Sequence, residues 1–219
     1  MKIKVAPSLL ACHAGEEKKE MQRLTLSGAD WLHFDVMDGK FVPNTSFSEE
    51  DFRRISSFSS LPMDVHIMVE DPFSYLSFYG NEKAHVLTFH YEALQNDEER
   101  WKMIRGIHGF SMKAGMSIKP NTPVEFVYPF LKELDVILIM SVEPGFGGQA
   151  FLPIALDKIR ALRKKIDQSG YSTLIEVDGG INQKTGEEVR LAGADVLVAG
   201  SYLFHKEDVE TRIHDLKGE

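Results

Sequence analysis

Ser27-Gly-Ala-Asp-Trp-Leu-His-Phe-Asp-Val-Met-Asp-Gly-Lys-Phe-Val-Pro-Asn44 runs from a tight glycine turn into a strand with polar residues along it. Residues 31–36 read as that strand, because aromatic and β-branched side chains alternate with polar ones. His33, Asp35 and Met37 then share one face, since strand side chains alternate. Trp31, Phe34 and Val36 suit a core. A histidine and a carboxylate buried side by side need partners. They form either a satisfied polar pair or a metal or acid/base site, and this stretch alone leaves both readings open.

The turn that opens the segment recurs. Ser27-Gly-Ala-Asp-Trp-Leu32 resembles Ala192-Gly-Ala-Asp-Val-Leu197, and Leu134-Asp-Val-Ile-Leu138 is a degenerate copy. Each reads as a helix passing into a strand. Strands are expected at 5–11, 31–36, 63–68, 86–89, 114–118, 136–140, 174–177 and 196–199. Helices are expected at 16–27, 49–58, 72–78, 97–107, 123–131, 153–168, 184–191 and 207–216, the fifth bent at Pro129. The helix at 153–168 is the clearest: Ala155, Ile159, Leu162 and Ile166 lie opposite the basic face of Arg160, Arg163 and Lys164. The alternation runs from end to end without a linker, so residues 1–219 are expected to form one domain. The expected fold class is α/β, a (β/α)8 TIM barrel. A doubly wound sheet competes. Very short strands with polar residues at their C-terminal ends favour the barrel, whose active sites lie on that face.

The chain has 219 residues, 43% hydrophobic and 26% charged, enough for one large core. A net charge of -8 argues against general nucleic-acid or anionic-membrane binding. It still permits an anionic small substrate, because a few backbone N–H groups hold a phosphate locally. Cys12 is the only cysteine, which rules out an intrachain disulfide; it reads as a small buried residue. Leu9-Leu-Ala-Cys12 faintly resembles a lipoprotein cleavage site, but Pro7 and Ser8 interrupt the short apolar stretch before it. The longest apolar run, 136–140, is too short to span a bilayer. The expectation is a soluble cytoplasmic protein, without nucleic-acid or membrane partners, assembled as a homo-oligomer.

On the barrel reading, four residues meet at one mouth: His33 and Asp35 on the second strand, His66 on the third and Asp178 at the end of the seventh. Two imidazoles and two carboxylates suit one divalent ion such as zinc, iron, manganese or cobalt. Gly145-Phe146-Gly147-Gly148-Gln149 follows the sixth strand, Gly179-Gly180 the seventh and Gly200-Ser201 the eighth. Any one glycine pair is ordinary turn chemistry. Three on consecutive units point to a phosphate, which barrels often hold with their last loops. The first loop lacks the context and spacing of a dinucleotide fingerprint. Met37, Met68 and Met140 read equally as core packing and as an apolar, water-excluding wall around a reactive centre. His13, His85, His108, His205 and His214 read as surface or loop positions. His90, ending the fourth strand, is a weaker candidate for the mouth.

These residues resemble the ribulose-phosphate 3-epimerase family over nearly the whole chain. The matching segments are Ala6-Pro-Ser-Leu-Leu10, His33-Phe-Asp-Val-Met-Asp-Gly39, Phe41-Val-Pro-Asn44, Asp64-Val-His-Ile-Met68, Glu143-Pro-Gly-Phe-Gly-Gly-Gln149 and Glu176-Val-Asp-Gly-Gly-Ile-Asn182. The resemblance implies a metal held by His33, Asp35, His66 and Asp178, with Asp35 and Asp178 also serving as the acid/base pair. It implies sugar-phosphate contacts from Ser8, His66, the Gly145 to Gly148 loop including Phe146, Gly179, Gly180, Gly200 and Ser201. The chain departs from the family pattern at Ala11-Cys-His13, Lys40, Thr45-Ser-Phe-Ser-Glu-Glu50 and Asn81-Glu-Lys-Ala84, none of which touches the four ligand positions.

The activity so implied is epimerisation at C3 of a ketose phosphate, D-ribulose 5-phosphate to D-xylulose 5-phosphate in the pentose phosphate pathway. A close relative of the family acts on D-allulose 6-phosphate. Barrel decarboxylases resemble the pattern Asp-x-Lys-x-x-Asp at the second strand, but Met37 stands where the lysine is needed. A sugar-phosphate-binding protein without turnover would tolerate loss of a ligand or an aspartate, and all are present here.

Overall fold

The computed structural model describes residues 2–219. Among these residues eight parallel strands alternate with seven α-helices. In chain order they are β1 (Lys4–Pro7), α1 (Glu17–Leu26), β2 (Leu32–Met37), α2 (Glu49–Ser56), β3 (Met63–Met68), α3 (Phe73–Asn81), β4 (Val86–His90) and α4 (Asp97–Gly109). There follow β5 (Lys113–Ile118), β6 (Val136–Met140), α5 (Ile154–Ser169), β7 (Leu174–Asp178), α6 (Gln183–Ala192), β8 (Val196–Ala199) and α7 (Val209–Lys217). Each strand pairs with its sequence neighbours, and β1 also pairs with β8. A parallel bridge between Ser8 and His33 joins the two ends of the sheet, beside an Asp30 N–H to Val5 carbonyl bond of 2.9 Å. The fold is a nearly closed (β/α)8 barrel.

The repeated turn has one physical job. Asp30 Oδ2 accepts the Val5 N–H at 2.9 Å, Asp135 Oδ2 the Ala114 N–H at 2.9 Å, and Asp195 Oδ2 the Ile175 N–H at 2.8 Å. In each copy the aspartate satisfies a backbone donor at the start of the preceding or neighbouring strand, where an unpaired N–H would be costly. Gly193 closes α6 at φ +114°, a left-handed conformation open to glycine at little cost.

Side-chain alternation sorts the residues. On β2, Phe34 faces the helices and packs on Phe47 and Phe52. His33, Asp35 and Met37 face the barrel axis. Towards the N-terminal end the barrel is filled by an apolar cluster of Ala6, Trp31, Val86, Val136 and Val196, and Val198 continues it up to the level of Asp178. At the other end the inward positions turn polar.

Two elements differ from expectation. The first strand ends at Pro7, and Leu9–Ala11 forms a single 3-10 turn instead of continuing it. The expected fifth helix is a 3-10 segment, Val124–Phe130. Pro129 has no N–H for an α-helical bond, so the segment keeps only the tighter pattern. Cys12 is half-buried, not buried; burial and then Glu17 push its thiol up to about 12, which leaves it protonated. Among the described residues, no helix is long and apolar enough to cross a membrane.

Candidate active site

Parallel pairing brings the two histidine strands into register. His33 lies opposite Asp64, and Asp35 opposite His66. Met140 on β6 lies opposite Asp178 on β7. Donor atoms of His33, Asp35, His66 and Asp178 all fall within 4.8 Å of one another, so the four expected ligands converge. His33 Nε2 is 3.3 Å from Asp35 Oδ1, and His66 Nδ1 is 3.2 Å from the same oxygen. Ser8 Oγ donates to Asp35 Oδ2 at 2.9 Å.

The charges are strongly perturbed. Burial works against a charge on His33, but Asp35 and Asp64 outweigh it and hold the imidazole well above its ordinary pKa. Burial would raise Asp35, yet the His33 and His66 rings outweigh that and keep it far below the usual carboxylate range. Asp178 reaches the cavity wall. Burial, and then the charge of Asp35, raise it to about 6. Two carboxyls in one site are thus pushed apart, the pattern of an acid/base pair.

Above the cluster opens a cavity of about 960 Å³. Asp35, Asp178 and Ser8 line it, as do Met37, Met68 and Met140. All three methionines are buried. Gly145, Phe146, Gly147, Gly148, Gly179, Gly180, Gly200 and Ser201 also line it. His33 and His66 do not reach the cavity; they are fully buried behind Asp35. The loops are braced from within: Ser141 Oγ donates to the Gly179 carbonyl at 2.7 Å, and Gln149 Nε2 to the Glu143 carbonyl at 2.6 Å. Gly180 sits at φ +62°, and a Cβ there would lie 2.6 Å from the Phe151 nitrogen, so that position needs glycine.

The sequence profile of the Ribulose-phosphate 3 epimerase family matches residues 4–204. The chain belongs to this family. It is an enzyme of the isomerase class, an epimerase by family. The ribulose-phosphate 3-epimerase of Schizosaccharomyces pombe is 41% identical over 221 residues, which cover 99% of this chain and 93% of that one. The enzyme of the same name from Bacillus subtilis is 37% identical over 217 residues, 99% of each chain. The tryptophan synthase alpha-subunit of Pyrococcus furiosus superposes with a TM-score of 0.71 at 12% identity over 100% of both chains. Phosphoribosylanthranilate isomerase from Thermotoga maritima gives 0.69 at 16% identity, over 99% of this chain and 100% of that one. At such identities these two share the barrel fold alone.

Within this epimerase fold lies a polar layer that the sequence reading passed over. Asp64 Oδ2 is 2.6 Å from His33 Nδ1, and Glu176 Oε1 is 3.7 Å from the same nitrogen. Both acids are fully buried. Burial and then the Asp64 charge push the Glu176 carboxyl well above its ordinary value, which keeps it neutral. The signal was available as alternation: Asp64, His66 and Glu176, Asp178 are each two apart on inward faces. His90 is also more central than expected. It is fully buried, with Nε2 2.9 Å from His66 Nε2.

The cluster fits a divalent ion on its own geometry. With Asp64 holding the proton of His33 Nδ1, the Nε2 atom has no hydrogen-bond partner. Its lone pair faces Asp35 Oδ1, so a proton or a cation must lie between them. Buried His and Asp groups at this spacing could hold a metal.

Proposed function

We propose that the chain epimerises a ketose phosphate at C3, with D-ribulose 5-phosphate to D-xylulose 5-phosphate as the reaction. The observation that carries this reading is the meeting of Asp35 and Asp178, from β2 and β7, with His33 and His66 within 4.8 Å. His33 Nε2, Asp35, His66 Nδ1 and Asp178 would hold one divalent ion of zinc, iron, manganese or cobalt. Such an ion supplies Lewis-acid stabilisation of negative charge developing on the sugar oxygens.

The remaining work belongs to the protein. The proton beside a ketose carbonyl is acidic only to the extent that the resulting enediolate is stabilised. Asp35, held ionised, is suited to remove it. Asp178, raised to about 6, is suited to deliver a proton from the other side. In the reverse direction the roles exchange. Two carboxyls on well-separated strands address opposite faces of the planar intermediate, which inverts the centre. Ser8 orients Asp35 through its 2.9 Å bond. Met37, Met68 and Met140 exclude water and so strengthen these electrostatics. The glycine loops after β6, β7 and β8 offer backbone N–H groups to the phosphate, which prevents the sugar from turning over.

The test is a coupled assay on D-ribulose 5-phosphate and D-allulose 6-phosphate side by side, before and after chelation. Turnover of the pentulose phosphate that vanishes with chelator and returns with one of the four metals is expected. Preference for the hexulose phosphate would move the substrate assignment. Binding of both sugars without turnover would overturn the enzymatic reading of the site.

A further inference from the structure

The two proposed histidine ligands are supported unequally. His33 has a carboxylate directly on its far nitrogen, 2.6 Å from Asp64. His66 has another imidazole there instead, with the two Nε2 atoms 2.9 Å apart. Two ring nitrogens at that distance share one proton, and something must decide which ring owns it. On the inner side, Asp35 Oδ1 lies 3.2 Å from His66 Nδ1 and draws a hydrogen there unless a cation takes its place; the next contact outward sets the other end. His90 Nδ1 lies 3.3 Å from Glu92 Oε2. The other oxygen, Oε1, accepts the Lys119 N–H at 2.8 Å and the Thr122 hydroxyl. Lys158 Nζ in turn donates to the Lys119 and Thr122 carbonyls at 3.0 and 2.6 Å, which pins that loop in place.

An ionised Glu92 has only acceptors to offer. His90 Nδ1 therefore carries a hydrogen and donates it to Glu92. The neutral ring's Nε2 is then bare, ready to accept from His66 Nε2 once a cation takes the Nδ1 side. His66 Nδ1 is the nitrogen beside Asp35, where that cation would sit. We propose that His90 and Glu92 are positioning residues that support His66 in the Nε2–H tautomer that a divalent metal on Nδ1 requires. This rests on the metal-site reading above for its purpose, whereas the hydrogen on His90 Nδ1 follows from Glu92 alone. Ligand histidines are commonly fixed by a carboxylate on the distal nitrogen. Here a second imidazole extends that arrangement by one ring.

The same logic predicts what breaks it. In Glu92→Gln the amide oxygen stays with Lys119 and Thr122, and its NH2 faces His90 Nδ1. The relay then runs backwards: His90 accepts at Nδ1, donates from Nε2, and drives the hydrogen of His66 onto Nδ1. His90→Phe removes the relay, whereas His90→Gln keeps an acceptor for His66.

Two measurements test this. Nitrogen-15 NMR on zinc-loaded protein labelled at histidine reads the tautomers: Nε2–H at His66 and Nδ1–H at His90 are expected in the wild type, and Nε2–H at His90 in Glu92→Gln. Titration of cobalt against a competing chelator reads affinity. About a 10- to 100-fold loss is expected in Glu92→Gln and His90→Phe, with most of it recovered in His90→Gln. An Nε2–H tautomer at His90 in the wild type, or cobalt affinity within twofold of wild type in folded Glu92→Gln, overturns the relay. Wild-type protein that keeps Nδ1–H at His90 yet binds neither zinc nor cobalt would leave the His90–Glu92 contact standing and sink the metal-site reading instead.

Discussion

The two ends of the barrel are built on the same eight strands and do opposite things. Towards the N-terminal end the inward positions are apolar, among them Ala6, Val86, Val136 and Val196, with nothing to hydrogen-bond and nothing to ionise. Towards the other end, β2, β3, β4 and β7 carry His33, Asp35, Asp64, His66, His90, Glu176 and Asp178, several without complete partners. Burying apolar area stabilises the fold in proportion to the area removed from water. Burying unpaired polar atoms costs free energy at each one. The barrel therefore separates stability from chemistry along its axis. On β7 the change takes four residues, from Leu174 to Asp178.

Substitutions at the two ends should separate cleanly, and the largest effect is expected at the top. His66→Ala removes a proposed ligand and should lose bound metal and at least about a hundredfold in turnover, with the barrel intact by circular dichroism. Normal metal content in that variant would erase the contrast. Gly147→Val comes next. A Cβ at Gly147 meets nothing within 4 Å, and its φ is unstrained, so the fold should tolerate it. The side chain intrudes where a phosphate would sit, and KM should rise about tenfold, or ~1.4 kcal/mol of binding. An unchanged KM would remove the loop from the phosphate site.

At the bottom, Val136→Ala should cost about 2 kcal/mol of stability by chemical denaturation and leave kcat unchanged. A large loss of kcat there would show that the two ends are coupled. The smallest effect belongs to Glu176→Gln. The wild-type carboxyl has a raised pKa in the fold, so the folded state keeps a proton that the unfolded chain releases above its model value of 4.5. Stability from this group is full below 4.5 and declines as pH rises towards the folded pKa. The neutral amide removes that decline. Glu176→Gln should therefore match or exceed wild-type stability at pH 7, with a flatter pH dependence. A marked loss of stability at pH 7 would show that Glu176 is ionised.

The polar end of this contrast is largely legible in the sequence, and the apolar end is not. The repeated turn marked the barrel because each aspartate performs the same local task, satisfying an N–H near a strand's start. His33, Asp35, His66 and Asp178 stood out because polar residues on inward faces are rare and period two groups them. Asp64 and Glu176 were missed although they obey the same period. Asp64 meets His33 only through the register of β2 and β3, and Glu176 approaches His33 only across the barrel interior, and no local pattern contains either. His90 was undervalued for the same reason, since its contact to His66 depends on how β3 and β4 lie side by side. The helix expected at 123–131 failed on backbone chemistry: Pro129 lowers the number of available donors, and only the 3-10 pattern survives.

The central claim is that Asp35 and Asp178 serve opposite faces of one intermediate. The direct measurement is proton exchange in Asp178→Asn, with metal content confirmed first because Asp178 is also a proposed ligand. Asparagine keeps the shape and can still donate a hydrogen bond, but it cannot act as a base. Interconversion of the two epimers should fall by about 10²- to 10⁴-fold in both directions. One epimer, the one whose C3 hydrogen faces Asp35, should still exchange that hydrogen with D₂O, and the other should not. Metal-loaded Asp178→Asn that interconverts the epimers at near the wild-type rate would contradict the account and leave Asp178 as a ligand only.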